Sequence, residues 1–414
     1  METMQDKETN QKTAISVKPA AKTGEALRYR RIQAGMRARI ADGAWSSGQG
    51  IPNRTQLCSE FSTTRVTLDK AIQGLVSEGL LRSAGRVGTF VSLPEERAAR
   101  TLRIGVILAK DTIQTPDTSQ TPDTSWCSEN FYFGPLFQGI RDGVSGMSVE
   151  TTFADLYHTE YVRFCRDNMM DGLILIALRS LQIPAFHNLQ KEGIFFVAPG
   201  ISSIDPADAE LPCQDTDNRQ GARDAALHLL ELGHRDIALV MLATTLSNYN
   251  DRQQGFLHAL AEAGLVLDPR NVLLMAEQDA DRYEDCLDDW ISRAVASGTV
   301  PTAIHIGDYA ITLTMLRVLR RHKLRVPEDV SIVGFDDPFS AEHLTPPLTT
   351  VRQPVYQMGR RATERLLDGI RGGQPPSGGE LLRTELIVRE STGRPSTARP
   401  ASSSSSPTAA NTLS

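Results

Sequence analysis

Residues 51–91 read IPNRTQLCSEFSTTRVTLDKAIQGLVSEGLLRSAGRVGTFV, and this stretch decides how the amino-terminal part of the chain folds. Leu57 and Phe61 are four residues apart, which predicts a single apolar face on a short helix. The polar segment 62–64 follows and can cap a second helix. That second helix has apolar residues at the spacing of one buried face, at Leu68, Ala71, Ile72, Leu75 and Val76.

Two short strands are predicted directly after the second helix. Gly79 ends the helix, and residues 80–83 and 89–92 flank a glycine-containing turn at 84–88. A helix, a tight turn, a second helix and a hairpin, in this order, predict a winged helix-turn-helix. The amino-terminal end of such a second helix can reach base edges in the major groove of DNA. The alternative is a winged helix that binds protein, with Arg65 as an exposed surface charge.

The stretch resembles the GntR-type DNA-binding domain. The residues that carry the resemblance are Ile51-Pro52, Thr64-Arg65-Val66-Thr67-Leu68, Glu78-Gly79-Leu80 and Gly85-Arg86-Val87-Gly88-Thr89-Phe90-Val91. The resemblance implies DNA contacts from Thr64, Arg65, Thr67 and the wing glycines, including Gly88. Arg54 and Lys70 are further candidates. Arg86 is another, because an arginine on a thin glycine hairpin can enter a minor groove or contact a phosphate.

The chain departs from the GntR pattern at two places. The family usually has serine and an acid where this chain has Asn53 and Arg54, and it usually has a basic residue at the position of Asp69. A carboxylate at position 69 would repel phosphate, so no DNA contact is assigned to Asp69.

The charge distribution supports a nucleic-acid partner for this segment. Residues 24–92 contain ten basic and five acidic residues, a local charge of +5, whereas the whole chain of 414 residues carries −6. The rest of the chain therefore carries −11. A basic module on an acidic body is typical of a DNA reader whose body does not bind DNA.

Length and composition predict several domains in a reducing compartment. We expect a disordered tail at 1–23, a DNA-binding domain at 24–92, a charged linker at 93–101, a second domain at 102–393 and a disordered tail at 394–414. The five cysteines show no C-x-x-C spacing, so neither a disulfide framework nor a zinc site is predicted. The amino end lacks an apolar signal segment, and the longest apolar runs are too short to span a bilayer. We therefore expect a cytoplasmic protein with no membrane partner.

From Leu102 onward the pattern changes to short, continuous apolar strands separated by helices. The predicted strands are 103–108, 172–177, 194–197, 237–240, 303–306 and 331–335, with helices such as 221–233 and 255–264 between them. This alternation predicts an α/β fold in which parallel sheets are covered by helices on both faces, in two lobes around a cleft. Ligands of such sheets bind beyond the carboxyl ends of the strands. Residues 114–125 repeat QTPDTS in tandem, which predicts a flexible loop.

A second resemblance is carried by Asp171-Gly172-Leu173-Ile174-Leu175, Asp217-Asn218, Gly221-Ala222, residues 228–238, Arg252 with Gly255-Phe256, Gly307-Asp308, residues 326–337 and residues 347–351. Through these segments, residues 102–393 resemble the periplasmic-binding-protein-like domain of LacI/GalR-type regulators. A winged helix followed by such a domain resembles the arabinose-responsive regulators of this combined architecture.

The resemblance implies a small sugar-like effector and four residues that bind it. Arg252 and Asp308 match family positions around the cleft, and the two could grip adjacent sugar hydroxyls through charge-assisted hydrogen bonds. Tyr132 and Phe133 match an aromatic pair in the first helix of the near lobe and could stack on the apolar face of a mono- or disaccharide.

Each of these residues also has a structural interpretation. Asp308 could cap a helix, Arg252 could pair with a structural acid such as Asp251 or Glu262, and either aromatic ring could belong to the core. Two other polar pairs are predicted to be structural, Asp217-Asn218 as a helix cap and Asp336-Asp337 as a turn.

These features favour a ligand-responsive transcription regulator, a repressor that binds double-stranded operator DNA as a homodimer. An activator or a co-repressor-dependent regulator would have the same parts. The sequence lacks HExxH, Walker A and G-x-S-x-G motifs, so neither enzyme activity nor a metal or cofactor is predicted. A fusion of the DNA-binding domain to a pyridoxal-phosphate enzyme would need a Schiff-base lysine at a strand end, and none of Lys110, Lys191 and Lys323 is in such a context.

Overall fold

The computed structural model describes residues 21–85, 87–93, 96, 100–109, 126–176, 182–201 and 206–396. The chain forms two compact units, Met1–Arg100 and Thr101–Ser414. Arg86, the tandem repeat at 114–125 and most of both predicted tails lie outside the described residues. Among the helices that the structure describes, none is long and apolar enough to cross a membrane.

The first unit combines helices with a short hairpin. Its elements are α1 (Ala21–Ala41), α2 (Arg54–Glu60), α3 (Arg65–Ser77), β1 (Leu81–Ser83) and β2 (Thr89–Val91). The predicted apolar stripe of α3 is buried in the core of this unit, where Leu68, Ala71 and Leu75 are fully inaccessible. The strands pair antiparallel, from Leu81 with Val91 to Ser83 with Thr89. Helix α1 already includes residues 21–23, where the sequence predicts an aperiodic tail.

Local sequence explains where the helices of this unit begin and end. Asn53 and Gln56 exchange side-chain-to-backbone hydrogen bonds of 2.9 and 3.2 Å, so the departure at Asn53 provides a capping box for α2. Thr64 caps α3, because its Oγ1 accepts a hydrogen bond from the Thr67 N–H at 3.4 Å. Gly79 follows α3 with a φ of 71°, a left-handed conformation that glycine adopts without steric cost.

The second unit contains two sheets. Its helices and strands, in chain order, are β3 (Leu102–Ala109), α4 (Trp126–Gly143), β4 (Val149–Leu156), α5 (Tyr161–Asp167), β5 (Gly172–Ile176), α6 (Ile183–Lys191), β6 (Phe195–Pro199), β7 (Cys213–Thr216), α7 (Asn218–Glu231), β8 (Ile237–Ala243), α8 (Ser247–Glu262), β9 (Val272–Ala276), α9 (Tyr283–Ser297), β10 (Ala303–Ile306), α10 (Tyr309–Arg321), β11 (Ser331–Phe335), β12 (Thr349–Arg352), α11 (Val355–Gly372), β13 (Glu380–Leu382) and β14 (Glu385–Ile387). The strand orders are β13-β7-β6-β5-β3-β4 and β14-β12-β11-β10-β8-β9. Neighbouring strands are parallel, except for the antiparallel pair β12 and β14.

Both sheets are buried on both faces, which explains their continuous apolar strands. In β5, Leu173 and Leu175 pack with α5 and α6, whereas Ile174 and Ile176 pack with α4 and α11. The strands of the second sheet alternate in the same way between a cluster with α9 and α10 and a cluster with α7 and α8. The predicted α/β fold, with parallel sheets flanked by helices in two lobes, is confirmed.

The chain crosses between the two lobes after β7, after β12 and between β13 and β14. After the second crossing, α11 packs on α4 of the first lobe through two glycines. A Cβ on Gly139 would lie 2.0 Å from the Tyr356 carbonyl oxygen, and a Cβ on Gly359 would lie 2.2 Å from that of Leu136. The two helix backbones are therefore in direct contact. Because β7 and β12 both lead into crossings, the carboxyl ends of these strands lie beside the segments that join the lobes.

Candidate functional site

The amino-terminal end of α3 combines exposed and buried side chains. Arg65, the first residue of the helix, has 80% of its side chain exposed. Thr64 is exposed too, whereas Thr67 is buried, and the two hydroxyl oxygens lie 2.9 Å apart. Thr67 therefore supports the helix cap, and Thr64 and Arg65 are accessible to a second molecule.

Arg54 and Arg65 both contact Asp69. The Nε of Arg54 is 3.2 Å from Asp69 Oδ1, and the Nε of Arg65 is 3.7 Å from Asp69 Oδ2. Arg54 also donates from Nη1 to Thr89 Oγ1 at 2.9 Å. These contacts connect the start of α2, the second turn of α3 and strand β2. Lys70 is not part of this group, because its Nζ lies 5.0 Å from the centroid of the Tyr29 ring on α1.

The tip of the hairpin is narrow. Gly85 and Gly88 have φ values of 56° and 132°, in the region that favours glycine. Val87, next to Gly88, is 78% exposed. Gly88 thus shapes the turn that presents the tip, and the predicted contact residue Arg86 lies outside the described residues.

Arg252 is the centre of a buried polar cluster in the second lobe. It is 2% exposed, its Nε donates to Asn218 Oδ1 at 2.9 Å, and its Nη1 donates to the Gly307 carbonyl at 2.7 Å. Its guanidinium carbon lies 3.9 Å from the centroid of the Phe335 ring. The guanidinium is therefore held by α7, by the residue that follows β10 and by the end of β11.

The structural partners that the sequence suggested for Arg252 pair elsewhere. Asp251 lies 3.3 Å from Arg219, and Glu262 lies 2.5 Å from Arg223. Neither of the two acids named from the sequence is therefore the partner of Arg252, which forms its ion pair with Asp336 instead.

Asp308 caps α10 and contacts a tyrosine as well. Its Oδ1 accepts a hydrogen bond from the Ile311 N–H at 2.9 Å, and its Oδ2 accepts one from the Tyr249 hydroxyl at 2.7 Å. Burial raises the pKa of Tyr249 well above its ordinary value, and the Asp308 carboxylate raises it further. Tyr249 is therefore the donor in this bond. The capping role considered for Asp308 is present, and the carboxylate also reaches the cluster around Arg252.

Asp336 faces this cluster, although the sequence predicts a structural turn there. Its φ is 74°, and its Oδ2 lies 3.9 Å from Nη1 of Arg252. Burial raises the pKa of Asp336, and the guanidinium of Arg252 opposes that rise. Its Oδ1 accepts a hydrogen bond from the side chain of Gln353, which in turn accepts one from Thr216. Asp336 is thus linked to two segments that cross between the lobes.

The other acidic turn residues are structural. The side chain of Asp337 is only 2% exposed, and its carboxylate oxygens lie 2.8 Å from Arg389 and 2.7 Å from Arg352. Asp217 accepts a hydrogen bond from the Gln220 N–H at 2.9 Å and caps α7, as predicted.

Tyr132 of the first lobe lies near this cluster, since the charges of Arg252 and Asp336 act on its pKa. Its hydroxyl oxygen is buried and has no hydrogen-bond partner among the described residues. Burial, followed by the charge of Asp215, raises the pKa of this hydroxyl well above its ordinary value, so it remains a donor. Phe133 belongs to the core instead. It is 8% exposed, and its ring centroid lies 6.1 Å from that of Phe137.

The structure therefore brings Tyr132, Arg252 and Asp308 into one region and adds Tyr249 and Asp336. No local pattern distinguishes Tyr249 from other helical tyrosines, and the backbone angle that turns Asp336 towards Arg252 is not visible in the sequence. Together these groups offer a guanidinium, carboxylates and hydroxyls, which suit the orientation of a polar ligand.

Comparison with known proteins supports the division into two functional parts. Residues 28–91 match the bacterial regulatory proteins of the gntR family, and residues 226–392 match a periplasmic binding protein-like domain. The HTH-type transcriptional regulator RegA of Clostridium saccharobutylicum is 30% identical over 238 residues, which are 56% of this chain and 68% of that protein. The arabinose metabolism transcriptional repressor of Geobacillus stearothermophilus is 27% identical over 370 residues, which are 85% of this chain and 94% of that protein.

Solved structures show the same relationship. The transcriptional regulator CelR in complex with cellobiose superposes with a TM-score of 0.59 at 25% identity, covering 82% of this chain and 100% of that one. The chain belongs to the family of helix-turn-helix transcriptional regulators, with a DNA-binding domain of the gntR type and a periplasmic-binding-protein-like domain as in LacI-type regulators.

Proposed function

We propose that this regulator is a repressor that a small sugar-like molecule releases from double-stranded operator DNA. The observation that carries the proposal is the polar cluster of the second lobe, in which Asp336 lies 3.9 Å from Arg252 and Tyr249 donates to Asp308. The buried Tyr132 hydroxyl of the first lobe has no hydrogen-bond partner among the described residues, and the charges of Arg252 and Asp336 act on its pKa. A guanidinium beside carboxylates and tyrosine hydroxyls can form charge-assisted hydrogen bonds with adjacent hydroxyl groups of a ligand. One similar protein is an arabinose metabolism repressor, and one similar structure holds cellobiose. A mono- or disaccharide is therefore the proposed effector.

The proposed DNA contacts follow from accessibility. Thr64 and Arg65 are the proposed base-reading residues, since they are exposed at the end of α3 that fits a major groove. Arg54 and the hairpin around Gly88 are proposed to contact the DNA backbone. For the effector, Tyr132, Arg252, Asp308 and Asp336 are proposed to bind hydroxyls, with Phe133 supporting the Tyr132 ring from the core at a centroid distance of 5.4 Å.

Effector binding is proposed to change the relative position of the lobes. The link from Asp336 through Gln353 to Thr216 connects the cluster to two of the crossing segments. A sugar that prefers the closed arrangement shifts the population of lobe positions only by its difference in affinity for the two states. A coupling free energy of about 1–3 kcal/mol, roughly 5- to 150-fold in DNA affinity, is typical of such regulators.

Two chains are proposed to pair through the second unit, so that two winged helices meet a two-fold symmetric operator. An exposed apolar edge supports this part of the proposal. Phe153 on the edge strand β4 is 56% exposed, and its ring centroid lies 5.7 Å from that of Phe137 on α4. A surface cavity of about 460 Å³ adjoins both rings. A second copy that covers this edge would remove an exposed aromatic side chain from water.

Selection of duplexes from a randomised library by the full-length chain tests the proposal. We expect one enriched sequence with two-fold symmetry, and we expect an arabinose, cellobiose or related sugar to weaken binding of that duplex. Tighter binding with sugar would instead identify a co-repressor-dependent regulator. An enriched duplex whose binding ignores every sugar in the panel would contradict the assigned cleft.

A further inference from the structure

The carboxylate of Asp69 has an unexpected place for an acid on a DNA-facing helix. It is the only acidic residue of α3, one turn beyond Arg65, and 45% of its side chain is exposed. A negative charge at this end of the helix repels phosphate and would weaken any DNA complex by itself. Any favourable role of Asp69 must therefore lie in its effect on neighbouring side chains.

Asp69 contacts two guanidinium groups at once. Its Oδ1 is 3.2 Å from Nε of Arg54, and its Oδ2 is 3.7 Å from Nε of Arg65. A partly exposed ion pair adds little to stability, because solvent screens it. An arginine side chain, however, has many rotamers, and contact with a carboxylate restricts them. The effect of Asp69 is therefore mainly one of orientation.

Arg54 is held at a second point. Its Nη1 donates to Thr89 Oγ1 at 2.9 Å, and Thr89 is buried in β2. Its Nη2 has no hydrogen-bond partner among the described residues, and 32% of the side chain is exposed. The guanidinium of Arg54 is thus anchored by two nitrogens between α2, α3 and the wing, and the third nitrogen can donate outward.

The same pair explains two departures from the GntR pattern noted in the sequence. An acid near position 54 and a base at position 69 are usual in the family, and here a base at 54 contacts an acid at 69. Compared with the usual pattern, the positive charge lies at the start of α2 instead of in α3. An ion pair between α2 and α3 is present in this chain.

We propose that Asp69 is a positioning residue that fixes Arg54 and Arg65 for DNA, and that Arg54 supplies from α2 the cation that α3 lacks at position 69. This inference rests on the proposed function of α3 as the DNA-reading helix. It makes Asp69 a determinant of operator specificity without a contact to DNA of its own.

The test compares specific with non-specific binding. The full-length chain first enriches a duplex from a randomised library. The dissociation constants of that duplex and of a random-sequence duplex are then measured for the wild type and for Asp69→Asn. We expect Asp69→Asn to lower the ratio of specific to non-specific affinity by roughly 5- to 100-fold, the range for one lost arginine contact with a base. If Asp69 only repels phosphate, both affinities rise by one factor and the ratio stays constant, which would overturn the proposal.

Glu60→Gln is the matched control. Glu60 lies in α2, its side chain is also 45% exposed, and it forms an ion pair of 2.6 Å with Arg39. Its substitution removes the same charge at the same exposure, so we expect the ratio to change less than about twofold. An equal loss of specificity in both variants would show that only the net charge matters.

The charge-exchanged variant R54D/D69R keeps the proposal testable should Asp69→Asn unfold. We expect R54D/D69R to regain the wild-type melting temperature, because the ion pair is restored. We do not expect it to regain specific binding of the enriched duplex, because the guanidinium now lies on α3 instead of α2. Wild-type specificity in R54D/D69R would refute the inference alone. A wild-type chain that enriches no duplex would overturn the proposed function as well.

Discussion

Tyr249 donates a hydrogen bond of 2.7 Å to Oδ2 of Asp308, while Oδ1 of the same carboxylate accepts the N–H of Ile311 at 2.9 Å. One oxygen therefore serves the helix cap, and the other faces the cluster around Arg252. A ligand hydroxyl would share or replace the contact of Oδ2 with Tyr249 and would leave the helix cap at Oδ1 in place. Loss of the carboxylate therefore affects stability through Oδ1 and ligand binding through Oδ2.

Two substitutions separate these roles of Asp308. Asp308→Ala should lower the free energy of unfolding by about 0.5–2 kcal/mol through the lost cap, and it should remove the response of DNA binding to sugar. Asp308→Ser should keep the cap, because serine is a good N-cap residue, and should still lose the response. Thermal unfolding and sugar-dependent release of DNA measure the two effects. A normal response in Asp308→Ser would restrict Asp308 to capping.

Arg252→Met should be strongly destabilising. Arg252 is 2% exposed, and its removal leaves the buried side-chain oxygen of Asn218 and the buried Gly307 carbonyl without their hydrogen-bond donor. Each buried acceptor that loses its partner costs about 1–3 kcal/mol. Arg219→Met is the matched control, since Arg219 is 52% exposed in its pair with Asp251 and should cost at most about 1 kcal/mol. Urea unfolding of both variants checks the difference, and similar small losses would contradict the described cluster.

Asp336→Asn should stabilise the protein at neutral pH. Burial raises the pKa of Asp336, so the folded state holds this proton more strongly than the unfolded state does. The contribution of Asp336 to folding stability therefore falls as the pH rises from below the pKa of the unfolded state to above the pKa of the folded state. Above that range Asp336 is charged in the folded protein, and this charged form is the unfavourable one. Asparagine removes that cost, while Arg252 keeps its hydrogen bonds to Asn218 and Gly307. The advantage of asparagine should shrink at acidic pH, where Asp336 is protonated. Melting temperatures of both proteins, measured from acidic to neutral pH, show the effect.

A substitution of opposite sign accompanies this test. Asp337 is 2% exposed between Arg389 and Arg352, so Asp337→Asn should destabilise the protein at neutral pH. If both asparagine variants lose stability at neutral pH, burial is not the dominant influence on the pKa of Asp336.

The fold was predictable because its helices and strands show in local patterns of apolar residues. The stripe from Leu68 to Val76 and the continuous strand at 172–176 follow directly from which faces are buried, and the structure has both elements within a residue or two of the expected bounds. The caps at Thr64 and Asp217 were equally visible, since the residue types that cap helices are few.

The site was less predictable because its contacts join distant segments. Arg252 bonds to Asn218 and Gly307, which are 34 and 55 residues away, and no spacing rule connects them. Phe133 and Tyr132 are adjacent, yet one ring enters the core and the other lies near charged groups, and helix geometry decides which. Asp336 depends on a φ of 74°, which a non-glycine residue seldom adopts.

Gly139→Ala in α4 should destabilise the second unit, and Gly372→Ala at the exposed end of α11 should not. A Cβ on Gly139 would meet the Tyr356 carbonyl oxygen at 2.0 Å, so α4 and α11 must separate, whereas a Cβ on Gly372 meets nothing within 4 Å. Overpacking of this kind costs about 1–3 kcal/mol. Alanine in place of an exposed helical glycine adds about 0.5–1 kcal/mol of stability. Equal denaturant midpoints for the two variants would contradict the direct contact of the helices.

Arg65→Ala should weaken specific DNA binding while leaving stability and sugar binding unchanged. Its side chain is 80% exposed, and its only ion pair, with Asp69 at 3.7 Å among the described residues, adds little to stability. We expect a loss of about 1–3 kcal/mol against the enriched duplex. Arg163→Ala is a close control, because Arg163 is 85% exposed and also pairs with an aspartate four residues later, at 3.3 Å, but lies in the second unit. Both variants lose one positive charge from the same local arrangement. Fluorescence anisotropy with the enriched duplex should therefore show weakened binding for Arg65→Ala alone, and equal weakening in both would mean that charge, not the position on α3, governs the contact.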